Sequence, residues 1–193
     1  MEKRISSVTR TTKETDIELT LCLDGGESSI DTGIGFFDHM LEAFAKHGGF
    51  GLSVKVNGDL QVDGHHTVED TGIVLGSAFR QALGDKRGIC RFANSFVPMD
   101  EALAFCAVDV SGRAFLHCDA VMPQERIGDY DSCLTKEFLR AFADNAGVTL
   151  HIRSEYGENA HHITEAMFKA MARALRQAVE IKGNDLPSTK GVL

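Results

Sequence analysis

Apolar residues recur along this chain at two spacings, and the switches between them predict its elements. Phe37, Met40, Leu41 and Phe44 fall three and four apart, the period of a helix with one buried stripe, and Gly48-Gly49 supplies its stop. Leu52, Val54 and Val56 then alternate with other residues as in a strand. Asn57-Gly58 predicts a hairpin turn, with a short return strand through Leu60 and Val62. A second helix is expected from about residue 66 to 83. Beyond it the order returns, with a helix near 131–144, a strand over 148–153, a turn at 156–159 and a helix over 162–180. Alternating runs at 17–23 (IELTLCL) and 103–110 (LAFCAVDV) add a further strand to each set.

The return of the pattern is also a return of residues. HHTVEDTGIVLGSAFRQAL (65–83) and HHITEAMFKAMARALRQAV (161–179) share seven of nineteen positions without a gap. AFAKHGGF (43–50) and AFADNAGV (141–148) share four of eight after a two-residue shift. Two matches in the same order imply a duplicated chain. The expected fold is therefore α+β and internally duplicated, with halves 1–88 and 89–193 making one compact domain. Each half is a mixed or antiparallel sheet with helices on one face, and a helical layer lies between the two sheets.

Composition narrows the function classes. The 193 residues are 43% hydrophobic and 25% charged, enough to bury a core and too apolar for disorder over most of the length. Twenty basic against 28 acidic residues leave a net charge of −8, with no basic block, which excludes general affinity for nucleic acid or an anionic membrane. No apolar run is long enough to cross a bilayer, and MEKRISSVTR is no secretory signal. The cysteines (22, 90, 106, 118 and 133) are odd in number without a CxxC pair, so a reducing cytoplasm is expected.

The candidate chemistry lies in the doubled HHxxE. On a helix His65 or His66 can project with Glu69, and His161 or His162 with Glu165. Adjacent histidines diverge by about 100° around a helix, so one helix does not aim both at one ion. Two facing helices could share two ions, each taking the first His and the Glu of one helix and the second His of the other. Imidazole with carboxylate suits Mn, Fe, Zn or Ni better than Mg or Ca. The bland alternative is a polar helix start with the Glu as a cap. Under the two-residue shift His39 matches Glu137, adding one candidate ligand to each set.

FFDHML, DGHHTVEDTGIVLG, GRAFL, LHIR, HHITEAMFKAMARALRQA and the terminal PSTKGVL together resemble the imidazoleglycerol-phosphate dehydratase family over essentially the whole chain. The resemblance implies dehydration of imidazole glycerol phosphate to imidazole acetol phosphate in histidine biosynthesis. It implies two Mn²⁺ per subunit and a homo-oligomer of 24 chains with active sites between subunits. One metal would take His39, His66, His161 and Glu165; the other His65, Glu69, Glu137 and His162. Many members carry histidine where this chain has Glu137. The substrate imidazole would bind as imidazolate between the metals, so that loss of the hydroxyl leaves a diazafulvene-like species with an acidic neighbouring C–H.

Glu14, Glu69 and Glu165 are the acid/base candidates, with Glu14 matching a glutamate that contacts substrate. His47, Arg91, Arg113, Lys169, Ser188, Thr189 and Lys190 match the remaining substrate contacts, the arginines and Lys190 being suited to phosphate. Arg80-Gln81 and Arg176-Gln177 repeat with the helices and are expected in structural or assembly contacts. A two-metal hydrolase lacks support, since HHxxE is not HExxH and the aspartate-rich ligand sets of phosphatases are missing. A metal-storage protein would leave the phosphate-type contacts without a purpose.

Overall fold

The computed structural model describes residues 3–193. The first sheet contains β1 (Ile5–Thr11), β2 (Thr15–Cys22), β3 (Ser28–Asp31) and β4 (Gly51–Gly58) in the order β1-β2-β4-β3. Its helices are α1 (Gly35–Gly48) and α2 (His65–Leu83). The second sheet contains β5 (Phe92–Met99), β6 (Ala102–Asp109), β7 (Phe115–Asp119) and β10 (Thr149–Tyr156) in the order β5-β6-β10-β7. A small hairpin, β8 (Arg126–Ile127) with β9 (Tyr130–Asp131), precedes α3 (Leu134–Ala146), and α4 (Ala160–Ala178) closes the set. Pairing repeats as well: two antiparallel neighbours, then a parallel edge, β3 on β4 and β7 on β10.

The sheets enclose the helices. α2 packs on β1 and β2 and α4 on β5 and β6, while across the layer α2 meets α3 and α1 meets α4. This is the layered, duplicated α+β arrangement that the repeat predicts. Buried phenylalanines join the halves: Phe37 and Phe138 meet edge to face at 5.4 Å, and Phe79 and Phe142 at 5.5 Å. α2 approaches α3 through Gly72 and Gly76, where a Cβ would lie 2.8 and 2.6 Å from the carbonyl oxygens of Phe138 and Phe142.

α1 ends where the Gly-Gly stop places it, with Gly49 left-handed at φ 63° and its amide returned to Ala45 and Lys46. The return strand through Leu60 and Val62 does not form. β4 instead pairs with β2 as far as Gly58, and the amide of Asp59 then donates to the carbonyl of Glu14. The chain enters a loop leading into α2, and Val62 stays exposed. The third helix begins later than expected because Tyr130–Asp131 pair as β9. The cysteines are free, and among the described residues no helix is long and apolar enough to cross a membrane.

Candidate metal centre

A residue ahead of each HHxxE motif takes the amide of its first histidine, as the side-chain N-cap in α4 and one residue before the Gly64 N-cap in α2. Asn159 Oδ1 accepts the His161 amide at 2.9 Å, and Asp63 Oδ1 accepts the His65 amide at 2.7 Å. The glutamates are therefore released from the capping role of the bland alternative. On α4, His161 and Glu165 are one turn apart, and α1 brings His39 to the same point. Nε2 of His161 and Nε2 of His39 lie 3.3 and 3.6 Å from Glu165 Oε2. One donor atom from each of the three falls within 4.8 Å of the others. Two imidazoles and a carboxylate converging in this way fit a first-row divalent metal.

Lys169, a further turn along α4, donates to Glu165 Oε1 at 2.7 Å. Burial raises the Glu165 pKa, but the Lys169 hydrogen bond and the charges of Lys169, His39 and His161 outweigh it and hold the carboxyl below its ordinary value. His39, Glu165 and Lys169 line a cavity of about 740 Å³ with His47, Glu42 and Phe50. Desolvation, then the nearby Lys169 and Arg173, lower the His47 pKa, favouring the neutral ring.

The matching residues of the other half have not converged. His65 Nε2 lies 3.7 Å from Glu69 Oε2, both side chains 43% exposed. Glu137 on α3 faces Arg140 at 3.8 Å. The second histidines point elsewhere again. His66 Nδ1 meets Asp59 at 3.0 Å, and its Nε2 lies 3.7 Å from Glu14. His162 Nδ1 meets Glu101 at 2.6 Å, and its Nε2 lies 3.7 Å from Asp100. Those contacts raise both histidine pKa values, led by the hydrogen bond that Asp59 accepts from His66 and the one that Glu101 accepts from His162. Within one chain, then, the two HHxxE helices do not face each other as the repeat alone implied. α4 pairs with α1 and α2 with α3, and His66 and His162 sit outside the groups that hold His161 and His65.

A third group forms at the end of the second sheet. Arg91 donates to Asp109 from Nε at 2.7 Å and to the Pro187 carbonyl from Nη1 at 2.8 Å. Arg113 is largely exposed, 3.7 Å from Asp109. The Pro187 contact brings the tail to this end, where Ser188 Oγ accepts the Lys190 amide at 3.2 Å, and Thr189 and Lys190 are exposed. Asp59 and Glu101 were not singled out from sequence. The signal lies in the register of the two hairpins. Thr11 pairs with Asp16 and Met99 with Ala102, which makes Glu14 and Glu101 equivalent positions at the two turns.

The family model described as imidazoleglycerol-phosphate dehydratase matches residues 32–175. The chain is 58% identical to the imidazoleglycerol-phosphate dehydratase of Gluconobacter oxydans, over all of this chain and 99% of the relative. It is 55% identical to that of Methylorubrum extorquens, over 98% of this chain and all of the relative. Among solved structures, that of Staphylococcus aureus superposes with a TM-score of 0.85 at 39% identity, over 92% of this chain and 99% of its own. That of Pyrococcus furiosus gives 0.84 at 39% identity, over 96% of this chain and all of its own.

Proposed function

The chain belongs to the imidazoleglycerol-phosphate dehydratase family, a lyase of histidine biosynthesis, and from that premise we propose a dinuclear manganese enzyme acting on imidazole glycerol phosphate. The observation that carries the metal assignment is the convergence of His39, His161 and Glu165 within 4.8 Å. His66 of another copy would complete that set. His65, Glu69 and Glu137 with His162 of another copy would form the second. When bound, the metals supply the electrophilic pull on the substrate imidazole that makes the adjoining C–H acidic.

The protein's residues do the rest. Lys169 neutralises Glu165 and keeps it ionised beside the imidazoles. Glu14, beside His66, takes the proton from the carbon next to the imidazole-bearing centre, and that proton leaves with the displaced hydroxyl as water. The resulting enol shifts its hydroxyl proton to the imidazole-bearing carbon to give the ketone, with Glu69 and Glu165 the other acid/base candidates. Arg113, Ser188, Thr189 and Lys190 hold the phosphate. Arg91 contacts it from the same end of the sheet while tethering the tail through Pro187. His47 and Lys169 contact the substrate from the cavity wall.

Sites shared between copies require a homo-oligomer, which we take to be the assembly of 24 chains in the cytoplasm. Two features support sharing: His66 and His162 stand outside the ligand groups of their own chain, and Phe92, Phe96 and Phe115 are more than half exposed on the second sheet. The test is conversion of imidazole glycerol phosphate to its ketone with metal counted in the same samples. Expected are two Mn²⁺ per chain and activity lost on chelation. Activity in verified metal-free protein would overturn the reading. Glu14→Ala should lower kcat by about 10²–10⁴-fold, whereas Arg113→Ala should chiefly raise KM. An unchanged kcat or KM, respectively, would remove the corresponding role.

A further inference from the structure

The two hairpin turns occupy the same place in each half, yet their glutamates meet different nitrogens of the following histidine. In the first half Glu14 is on the Nε2 side of His66, and the loop residue Asp59 takes Nδ1. In the second half the turn glutamate itself, Glu101, takes Nδ1 of His162 at 2.6 Å. Its other oxygen, Oε1, accepts the amides of Glu158 and Asn159 at 3.1 and 2.9 Å. Glu101 is thus fixed by the backbone that leads into α4 and presents one remaining oxygen to the ring.

We propose that Glu101 is a positioning residue for His162, and Asp59 for His66: each holds the ring proton on Nδ1 and leaves Nε2 free as the donor atom. A carboxylate only accepts, so a neutral ring bonded to it carries its proton on that nitrogen. The lone pair is then on Nε2, on the far side of the ring from the anchor, and the ring orientation is set before any ligand arrives. Duplication has therefore given one turn position two tasks. It supplies an acid/base candidate in one half and an anchor in the other, with Asp59 taking the anchor's task where Glu14 does not.

The proposal rests on the metal reading above, and the test separates the two. Mn²⁺ affinity is measured by chelator competition on the full oligomer of the parent, Glu101→Gln, His162→Ala and the double variant. Glutamine keeps the size of Glu101, and its oxygen can still accept the Glu158 and Asn159 amides. Its NH₂ then faces Nδ1 and forces the ring proton onto Nε2. Expected is an affinity loss of about 10–100-fold at one of the two metals in Glu101→Gln. No further loss is expected when His162 is already Ala, because the effect acts through that ring. Parent-like affinity in Glu101→Gln, or an equal loss in both backgrounds, overturns the anchoring role. Two parent-like Mn²⁺ in His162→Ala would instead overturn the metal reading itself. Asp59→Asn is expected to weaken the other metal through His66 by a similar factor, and unchanged binding there removes the role from Asp59.

Discussion

The α1–α4 face and the α2–α3 face carry matching residues at repeat positions, but only the first has its three ligands in contact. On it, Glu165 is nearly buried, and Lys169 holds one oxygen while two imidazoles approach the other. On the second face the position of Lys169 is taken by Ile73, so Glu69 has no clamp and lies 43% exposed. The residue that matches His39 is Glu137, which replaces an imidazole by a second carboxylate. The two carboxylates repel each other before a cation arrives, with only the half-exposed Arg140, 3.8 Å from Glu137, to offset them. One carboxylate, two imidazoles and an ammonium in contact do not. A formed site needs the charge beside it as much as the ligands within it.

The largest expected effect tests that difference directly. Glu165→Ala removes a metal ligand and also leaves the Lys169 ammonium, 15% exposed, with only the Met99 sulfur at 3.4 Å. Breaking one side of such a pair costs about 3–5 kcal/mol. Glu69→Ala removes a ligand from an exposed place and should shift stability by no more than about 0.5 kcal/mol. Urea unfolding of the metal-free variants measures both. Equal losses would erase the distinction between the faces.

Much of this was legible in sequence. The helix stripes were visible because Phe37, Met40, Leu41 and Phe44 are all fully buried, and a buried stripe must keep helical spacing. The doubled HHxxE exposed the repeat and, with it, His39 and Glu137. Asn57-Gly58 misled because Leu60 and Val62 alternate as a strand would, yet the Asp59 amide bonds the Glu14 carbonyl and no face is there for them to bury against. Which helix pairs with which was not legible either. That choice depends on Gly72 and Gly76 admitting the α3 backbone, a contact between segments far apart in the chain. Glu101 escaped notice because TKET and MDEA share only their glutamate, so equivalence appears only in the strand register.

A smaller effect comes from making the second face resemble the first. Glu137→His restores the ligand type of His39 and removes one of the two carboxylates. It should keep two Mn²⁺ per chain and activity within about tenfold of the parent, less than the loss of a supporting residue can cost. Glu137→Ala should lose one Mn²⁺ of the two. Metal counts on the purified variants decide the matter, and two tightly held Mn²⁺ in Glu137→Ala would remove Glu137 from the ligand set.

The smallest effect compares two arginines that enter the two sheets. Arg4, before β1, pairs with Asp24 at 2.6 Å and donates to the Val179 carbonyl at 2.6 Å. Arg91, before β5, pairs with Asp109 and the Pro187 carbonyl, so both edge strands are tied to the C-terminal part of the chain. The Asp24 pair is the more exposed of the two. The Arg4 hydrogen bond, against the opposing effect of burial, holds the Asp24 carboxyl below its ordinary value. Unfolded, Asp24 titrates near the usual aspartate value of about 3.9. The clamp's contribution is therefore whole above that range and is lost as pH falls through the lower folded value. Asp24→Asn should cost less than about 1 kcal/mol at neutral pH, as exposed pairs do. The gap between variant and parent should close on acidification, because the parent's own Asp24 then becomes neutral. Urea midpoints of metal-free protein at neutral and strongly acid pH measure that gap. A difference of the same size at both would show that Asp24 acts through shape rather than charge.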